Sequence, residues 1–350
     1  MNQNPYTLLF GKPPITFIPR SLQKKQIIDE FSESVINNQA YVIVGLRGSG
    51  KTVFLRDISK YFDTLKDWIV VDLNAERNLL DDFVSSLNST RKITNLFRSA
   101  KINLSYLGIG IEIDGVPPIT NINVAAREML AVLRKHKKRV LVTVDEITNS
   151  SHIREFALAF QSFIGAELPI FFLSTGLFEN VRELEENKGS TFFARTPKIV
   201  MEPLKIRSVA DSYMETFHLD QKTAYEMAAL TKGYSFAFQV LGYFTWKANG
   251  NYKDVMEEYK SYLNGYSYEK IWSELSTEDH TFAYGIAKSE SGKISDIRSI
   301  IQWDQNKVGP YRKRLMNKGI LNTAQYGYLK FNLPFFDAFV TEKYEEMLYY

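Results

Sequence analysis

Between Ala40 and Val200, short runs of apolar residues alternate with stretches whose apolar positions recur at helical spacing. The runs Tyr41–Val44, Trp68–Leu73, Val140–Val144, Ile170–Leu173 and Lys198–Met201 are continuous rather than alternating. Continuous runs mark strands of a parallel sheet whose two faces are both covered by helices. Among the intervening segments, Ile153, Phe156, Ala157, Phe160, Phe163 and Ile164 share one helical face, as do Ala126, Met129, Leu130 and Leu133. Strand–helix alternation of this kind predicts a doubly wound α/β domain. Lys101–Val116 departs from it, with strand-like residues alternating around Gly108 and Gly110 before Pro117-Pro118, and predicts a β-hairpin inserted at about 101–118.

Beyond Pro203 the strand signal gives way to helical patterns punctuated by Gly233 and Asn249-Gly250. Further helices follow from Tyr268. Near the end, Leu321 on one side and Tyr328, Leu329 and Phe331 on the other flank a turn at Gln325-Tyr326-Gly327. The expected division is an α/β core over 1–203, a helical segment over 204–267 and a helix-turn-helix with a hairpin over 268–350. A length of 350 residues suits two or three domains.

Composition narrows the chemistry. The chain has no cysteine and four histidines scattered along it, which excludes thiolate catalysis and argues against a multi-histidine metal site. A net charge of +3 is too small to imply nucleic acid without a local basic patch. No apolar stretch approaches the ~20 residues of a membrane span, and the first residues lack a basic segment followed by an apolar run. The expected location is cytoplasmic, with no membrane partner.

Chemistry concentrates at two strand ends. After the apolar run YVIV comes Gly45-Leu46-Arg47-Gly48-Ser49-Gly50-Lys51-Thr52, then the helical pattern VFLRDISKYF. This is the phosphate-loop spacing G-x-x-x-x-G-K-[ST] in its strand-to-helix context. Glycines allow backbone N–H groups to curl around phosphate, Lys51 would reach the terminal phosphates, and the Thr52 hydroxyl would ligate Mg²⁺. The run Val140–Val144 ends in Asp145-Glu146, where Asp145 would hold Mg²⁺ and Glu146 would act as general base on a water. Ser174-Thr175 closes a third strand; a hydroxyl there orients the water or touches the γ-phosphate, or else caps the next helix.

In this order the elements resemble the AAA+ superfamily of P-loop ATPases. They are most similar to the branch holding the origin-recognition initiators and the STAND-type ATPases. The resemblance spans nearly the whole chain. It implies an ATP-binding core with a helical lid and a C-terminal winged helix-turn-helix, with ATP and Mg²⁺ as cofactors. Gly45, Arg47, Gly48, Ser49, Gly50, Lys51 and Thr52 match the Walker A element, Asp145-Glu146 the Walker B element and Ser174-Thr175 sensor 1. Phe17-Ile18-Pro19-Arg20 is similar to a segment lying by the adenine, with Pro19 replacing a glycine and Arg20 retained. Arg195, in Phe192-Phe193-Ala194-Arg195, stands where an arginine finger can act on a neighbouring subunit, or is a surface residue; Arg182 is a weaker candidate. Gly233–Gln239 resembles the lid segment that usually carries an arginine, but Phe236 occupies that place.

The C-terminal segment looks like a winged helix-turn-helix. Its expected second helix has Gly309-Pro310 in the first turn, and Lys307, Arg312, Lys313, Arg314 and Lys318 occur in it with no acidic residue. Such a helix either meets double-stranded DNA in the major groove or presents a basic face to water, and the module also serves as a protein-interaction platform. The expectation is a DNA-associated ATPase switch; the alternative is a nucleotide-gated signalling or assembly protein, STAND-like and related to defence or a mobile element, whose winged helix binds a protein partner, with a homo-oligomer or a protein partner expected.

Overall fold

The computed structural model describes residues 3–9, 11, 14–109, 113–187, 191–322 and 327–348. The chain gathers into two units, one formed by Arg20–Val44 with Lys51–Val200, the other by Met1–Pro19, Gly45–Gly50 and Met201–Tyr350.

In the first unit, β1 (Ala40–Val44), β2 (Trp68–Leu73), β3 (Arg139–Val144), β4 (Ile170–Gly176) and β5 (Lys198–Val200) form one sheet in the order β2-β3-β4-β1-β5. Every pairing is parallel. β1 and β4 lie in the interior and are buried along their whole length, which is why both read as unbroken apolar runs. β4 runs beyond its apolar stretch through Ser174, Thr175 and Gly176, which pair with Val42, Ile43 and Val44 of β1.

The helices of this unit are α1 (Ser21–Ser32), α2 (Lys51–Asp63), α3 (Leu79–Ser89), α4 (Thr94–Ser99), α5 (Ile122–Lys135), α6 (Ser151–Gly165), α7 (Phe178–Glu186) and α8 (Phe192–Arg195). Phe31 of α1 and Phe62 of α2 pack with Trp68 and Phe171 on one side of the sheet. Phe156, Phe160 and Phe163 of α6 join Met129 and Leu133 of α5 around Phe172, Val42 and Val142 on the other. Side-chain caps set where these helices begin: Asn78 for α3, Asn121 for α5 and Ser150 for α6 accept from N–H groups of the first turn. Each such cap is worth about 1 kcal/mol.

The hairpin expected at 101–118 is not a strand pair among the described residues; Gly110 and its two successors lie outside them. Asn103 reorganises the segment. Its amide donates to the Val116 carbonyl at 2.7 Å, and its Oδ1 accepts from the N–H and hydroxyl of Ser105. Ser105–Leu107 then turns as a 3-10 helix into left-handed Gly108. A side chain competing locally for backbone groups has displaced a ladder.

The second unit holds α9 (Ile206–Phe217), α10 (Gln221–Ala229), α11 (Ser235–Lys247), α12 (Met256–Leu263), α13 (Glu269–Ser273), α14 (Thr277–Lys288), α15 (Ile294–Ile301), α16 (Gln305–Asn317) and α17 (Phe336–Leu348). β6 (Leu321–Asn322) and β7 (Lys330–Phe331) pair antiparallel; of the expected turn between them, Gln325 and Tyr326 lie outside the described residues. One buried cluster runs from Tyr6 and Tyr213 through Tyr259 and Tyr268 to Phe282, Leu315 and Phe336. From the N-terminal residues, Tyr6 belongs to this cluster and Leu8 and Ile18 pack against it, an association that the 1–203 division did not anticipate. Tyr6 is the reason: it stacks on Phe217, edges Phe238, and approaches Gly242 so closely that a Cβ would fall 2.5 Å from the ring.

α16 begins at Gln305, so Pro310 sits in its second turn and not its first as expected. Asp304 supplies the extended N-cap backbone, and Trp303 fixes the entry by packing on Phe282 and Tyr311. Among the described residues no helix is long and apolar enough to cross a membrane.

Candidate functional site

In a parallel α/β sheet the carboxyl ends of the strands share one edge, and ligands bind there. At that edge β3 delivers Asp145-Glu146 and β4 delivers Thr175. The Thr52 hydroxyl, on the first turn of α2, donates to Asp145 Oδ2 at 2.9 Å. The Thr175 hydroxyl donates to Asp145 Oδ1 at 2.5 Å and accepts from the Glu146 N–H at 2.8 Å. One carboxylate is thus oriented by hydroxyls from two elements, and the same threonine fixes the peptide of the next acid.

Glu146 is bent into the left-handed region, with φ of 60°. A non-glycine residue there costs roughly 1–3 kcal/mol and persists only where its surroundings hold it. Here the Glu146 N–H bond to the Thr175 hydroxyl and the Ile147 N–H bond to the Thr175 carbonyl, both 2.8 Å, hold the bend. The Glu146 side chain is exposed and lines a cleft of about 700 Å³ together with Asp145, Asp72, Asn74, Arg77 and Asp82.

Ser174 and Thr175, paired in the sequence, part company in the fold. Successive strand residues face opposite sides of a sheet. Thr175 reaches Asp145, whereas Ser174 is fully buried between Val42 and Val144 with no hydrogen-bond partner for its hydroxyl. The alternation was visible in the sequence; which of the two faced the carboxylate was not.

The loop Gly45–Gly50 leads from β1 into α2. Gly48 and Gly50 take left-handed φ values of 73° and 90°, where a Cβ is penalised. Gly45 has no room for one, since it would lie 2.7 Å from Ser49 Oγ. The Ser49 hydroxyl is buried without a partner. Lys51, half-buried, opens α2 immediately before Thr52. Arg47 contacts Glu274 through its guanidinium at 3.4 Å and accepts a hydrogen bond on its carbonyl from the Tyr234 hydroxyl at 2.8 Å. Glu274 belongs to no motif, and Tyr234, although within the lid-like segment Gly233–Gln239, was not singled out in it.

Of the remaining expected residues, Arg20 stands half-buried at the N-cap of α1. Arg195 is exposed at the end of α8, a short helix anchored by buried Phe192 and Phe193. Arg182 is engaged along its own helix, 2.7 Å from Glu186. Phe236, in the place of the lid arginine, lies buried in the aromatic core and donates its N–H to the Gly48 carbonyl.

The basic residues of α16 are not equivalent. Lys307 and Lys313 are exposed, with Lys307 lying over the Trp303 ring, and Arg312 and Lys318 are half-buried. Arg314 also has a partner within the fold: it bridges to buried Asp279 at 2.9 Å and to the Ser276 hydroxyl, clamping the capping box that starts α14. Asp279 is 1% exposed, and the Arg314 guanidinium is the charged group set against it.

Taken separately, the residues of each unit suit a part of what ATP with magnesium would need. Left-handed glycines and an orphaned serine hydroxyl suit a phosphate cradle. A threonine hydroxyl beside one carboxylate suits a magnesium ion, which takes its other oxygens from phosphate and water.

Comparison with known proteins agrees at the level of fold. A family model described as a domain of unknown function (DUF8462) matches residues 266–340. No curated protein matches the chain. Among solved structures, the Walker-type ATPase PABY2304 of Pyrococcus abyssi is similar with a TM-score of 0.67 at 16% identity, covering 93% of this chain and 96% of that one. The ORC2 protein of Aeropyrum pernix, solved with ADPNP and ADP, is similar with a TM-score of 0.58 at 12% identity, covering 94% of each chain. The fold is the one these two ATPase structures share, a parallel five-stranded sheet with helices followed by a helical C-terminal region.

Proposed function

We propose that the chain binds ATP with magnesium and hydrolyses it to ADP and phosphate, as a nucleotide-dependent switch associated with DNA. The observation that carries this is the Thr52–Asp145–Thr175 network, preceded in the chain by a loop whose glycines adopt the phosphate-cradling conformation. In this reading the backbone of Gly45–Gly50 and the Lys51 ammonium hold the phosphates, and Arg20 lies towards the base. Thr52 and Asp145 hold magnesium, which supplies charge neutralisation when bound. Glu146 accepts the proton of the attacking water. Arg195 contributes in trans where copies assemble. Residues 204–267 act as lid and 268–350 as winged helix. With Phe236 in place of the lid arginine, hydrolysis is slow and raised by a partner.

Replacing Glu146 by Gln exchanges the carboxylate for a carboxamide of the same shape and removes the base. Turnover should fall by roughly 10²–10⁴-fold with ATP affinity retained, whereas Lys51→Ala should lose binding. Calorimetry and phosphate release measure both; full turnover in Glu146→Gln overturns the base assignment.

DNA association rests on the exposed lysines of α16. The double substitution Lys307→Ala and Lys313→Ala should weaken duplex binding and lower its logarithmic salt slope by about 1 for each phosphate no longer neutralised. An unchanged slope overturns this part. The engagement of Arg314 with Asp279, together with the exposure of Arg195, favours a second reading in which ATP drives assembly without DNA. A monomer by light scattering with ATP, in the native chain and in Glu146→Gln, removes it.

A further inference from the structure

The phosphate loop is gripped from behind by consecutive residues. Tyr234 donates its hydroxyl to the Arg47 carbonyl at 2.8 Å, Phe236 its N–H to the Gly48 carbonyl at 3.0 Å, and Ser235 its hydroxyl to the Ser49 carbonyl at 3.0 Å. The chain has no cis peptide among its described residues. In a planar trans peptide the N–H points opposite to the carbonyl. With the carbonyls of Arg47 and Ser49 turned towards the Tyr234–Phe236 segment, the N–H groups of Gly48 and Gly50 point away from it. That is the side on which a phosphate must lie. The grip is also close: a Cβ on Gly48 would fall 2.3 Å from the Tyr234 hydroxyl, so glycine is required here by its neighbour as well as by its φ.

The same tyrosine faces the C-terminal segment. Its hydroxyl lies 2.7 Å from the Ser267 hydroxyl, inside the π-type turn Asn264–Tyr268. Tyr268, next in that turn, donates to the Pro334 carbonyl at 2.6 Å. Glu274 reaches the Arg47 guanidinium. Arg47 is thereby held at both its carbonyl and its side chain by groups that belong to or contact the segment from Ser267 onward.

We propose that Tyr234, Ser235 and Phe236 form a clamp that presets the phosphate loop, with Tyr234 a positioning residue for the triphosphate. Through Ser267 and Glu274 the clamp makes the order of the C-terminal segment depend on nucleotide. This deepens the ATPase reading and rests on Gly45–Thr52 taking the triphosphate. Coupling of this kind is reciprocal: what tightens the loop tightens the clamp.

Tyr234→Phe deletes one hydroxyl and no ring. Calorimetry of ATP with magnesium should give about tenfold weaker binding, the size of one net hydrogen bond to a buried carbonyl. Hydrogen exchange should show ATP slowing the amides of 234–236 and 264–268 in the native chain, and much less in the variant. A merely structural role for Tyr234 moves the urea midpoint without nucleotide but leaves affinity, measured well below that midpoint, unchanged. Affinity within twofold of native overturns the clamp, and exchange at 264–268 insensitive to ATP overturns its link to the C-terminal segment. Should Tyr234→Phe not fold, Ser235→Ala removes the donor to Ser49 and should weaken ATP by a few-fold; no change there overturns the clamp equally. Lys51→Ala separates this from failure of the underlying reading. If the native chain takes up no ATP, or Lys51→Ala binds as the native chain does, the ATPase reading falls. If the native chain binds and Lys51→Ala does not, an unchanged Tyr234→Phe removes the clamp alone.

Discussion

Both units bury phenylalanines, but the helical unit also buries a set of tyrosines where the sheet unit buries Tyr41. The sheet unit fills its interior with Phe62, Phe83, Phe156, Phe160, Phe163, Phe171 and Phe172, which carry no polar atom. The helical unit buries tyrosines and spends their hydroxyls on backbone carbonyls: Tyr234 on Arg47, Tyr259 on Leu230 and Tyr268 on Pro334. The difference follows from how each unit satisfies its backbone. A parallel sheet pairs its peptide groups strand to strand and asks nothing further of side chains. Those three carbonyls lie in the phosphate loop, at the C-cap of α10 and in the turn before α17, where no ladder exists. Buried carbonyls need donors, and a phenol supplies one while filling apolar space. The sheet unit therefore holds its chemistry rigid, whereas the helical unit holds its loops by bonds that can be broken singly.

The largest expected effect tests the sheet side of this contrast. Phe172 packs on the rings of Phe156, Phe160 and Phe192. Phe172→Ala should cost about 3–5 kcal/mol, the range for truncating a buried phenylalanine, read as a fall in urea midpoint. A drop below about 1 kcal/mol would mean the core collapses around the gap and is not the rigid support described.

The next effect tests the helical side by deleting single hydroxyls. Tyr268→Phe strands the Pro334 carbonyl and should cost about 1–3 kcal/mol. In the sheet unit, the Tyr41 hydroxyl accepts from Gln26, which is exposed. Tyr41→Phe should cost under about 1 kcal/mol, because water can replace that bond. Equal costs in the two variants would erase the distinction between the units.

The same contrast governs what could be read from the residues alone. β1, β3 and β4 were legible because full burial makes an apolar run; Gly45–Thr52 and Asp145 stood out by spacing and by their place at strand ends, and the fold brings Thr52 to Asp145. Side-chain competition was not legible at Lys101–Val116, where Asn103 captured the backbone groups a hairpin would have used. Nor was the partner of Arg314, since a basic residue on a helix looks alike whether it meets solvent or the buried Asp279. Tyr6 lies far along the chain from the helices it packs on, so no local pattern could assign it to them. What escaped in each case was an interaction between segments distant in sequence, or a choice among donors that only packing makes.

The smallest effect at ordinary pH separates the units by titration. Burial raises the Tyr6 hydroxyl to about 12 and lifts Tyr213, Tyr234, Tyr259 and Tyr268 well above the usual phenol range. In the sheet unit, Tyr41 is raised to about 12 for the same reason. A folded pKa above the unfolded one means that the native state keeps its proton while the unfolded chain loses it. The stabilising contribution is then whole below pH 10 and falls as pH rises towards 12. Lys232 acts oppositely, because burial lowers its pKa from the ordinary 10.5 and stability recovers as it deprotonates, but it is one group against several tyrosines. From pH 7 to 9 the net decline should be only a few tenths of a kcal/mol, steepening above 10. Hydrogen exchange followed along that series should show peptides of Met201–Tyr350 losing protection before those of β1, β3 and β4, because most of these phenols lie in the helical unit. If strand peptides open first, the buried hydroxyls are not what holds the helical unit together, and the packing of its apolar rings must carry that role instead.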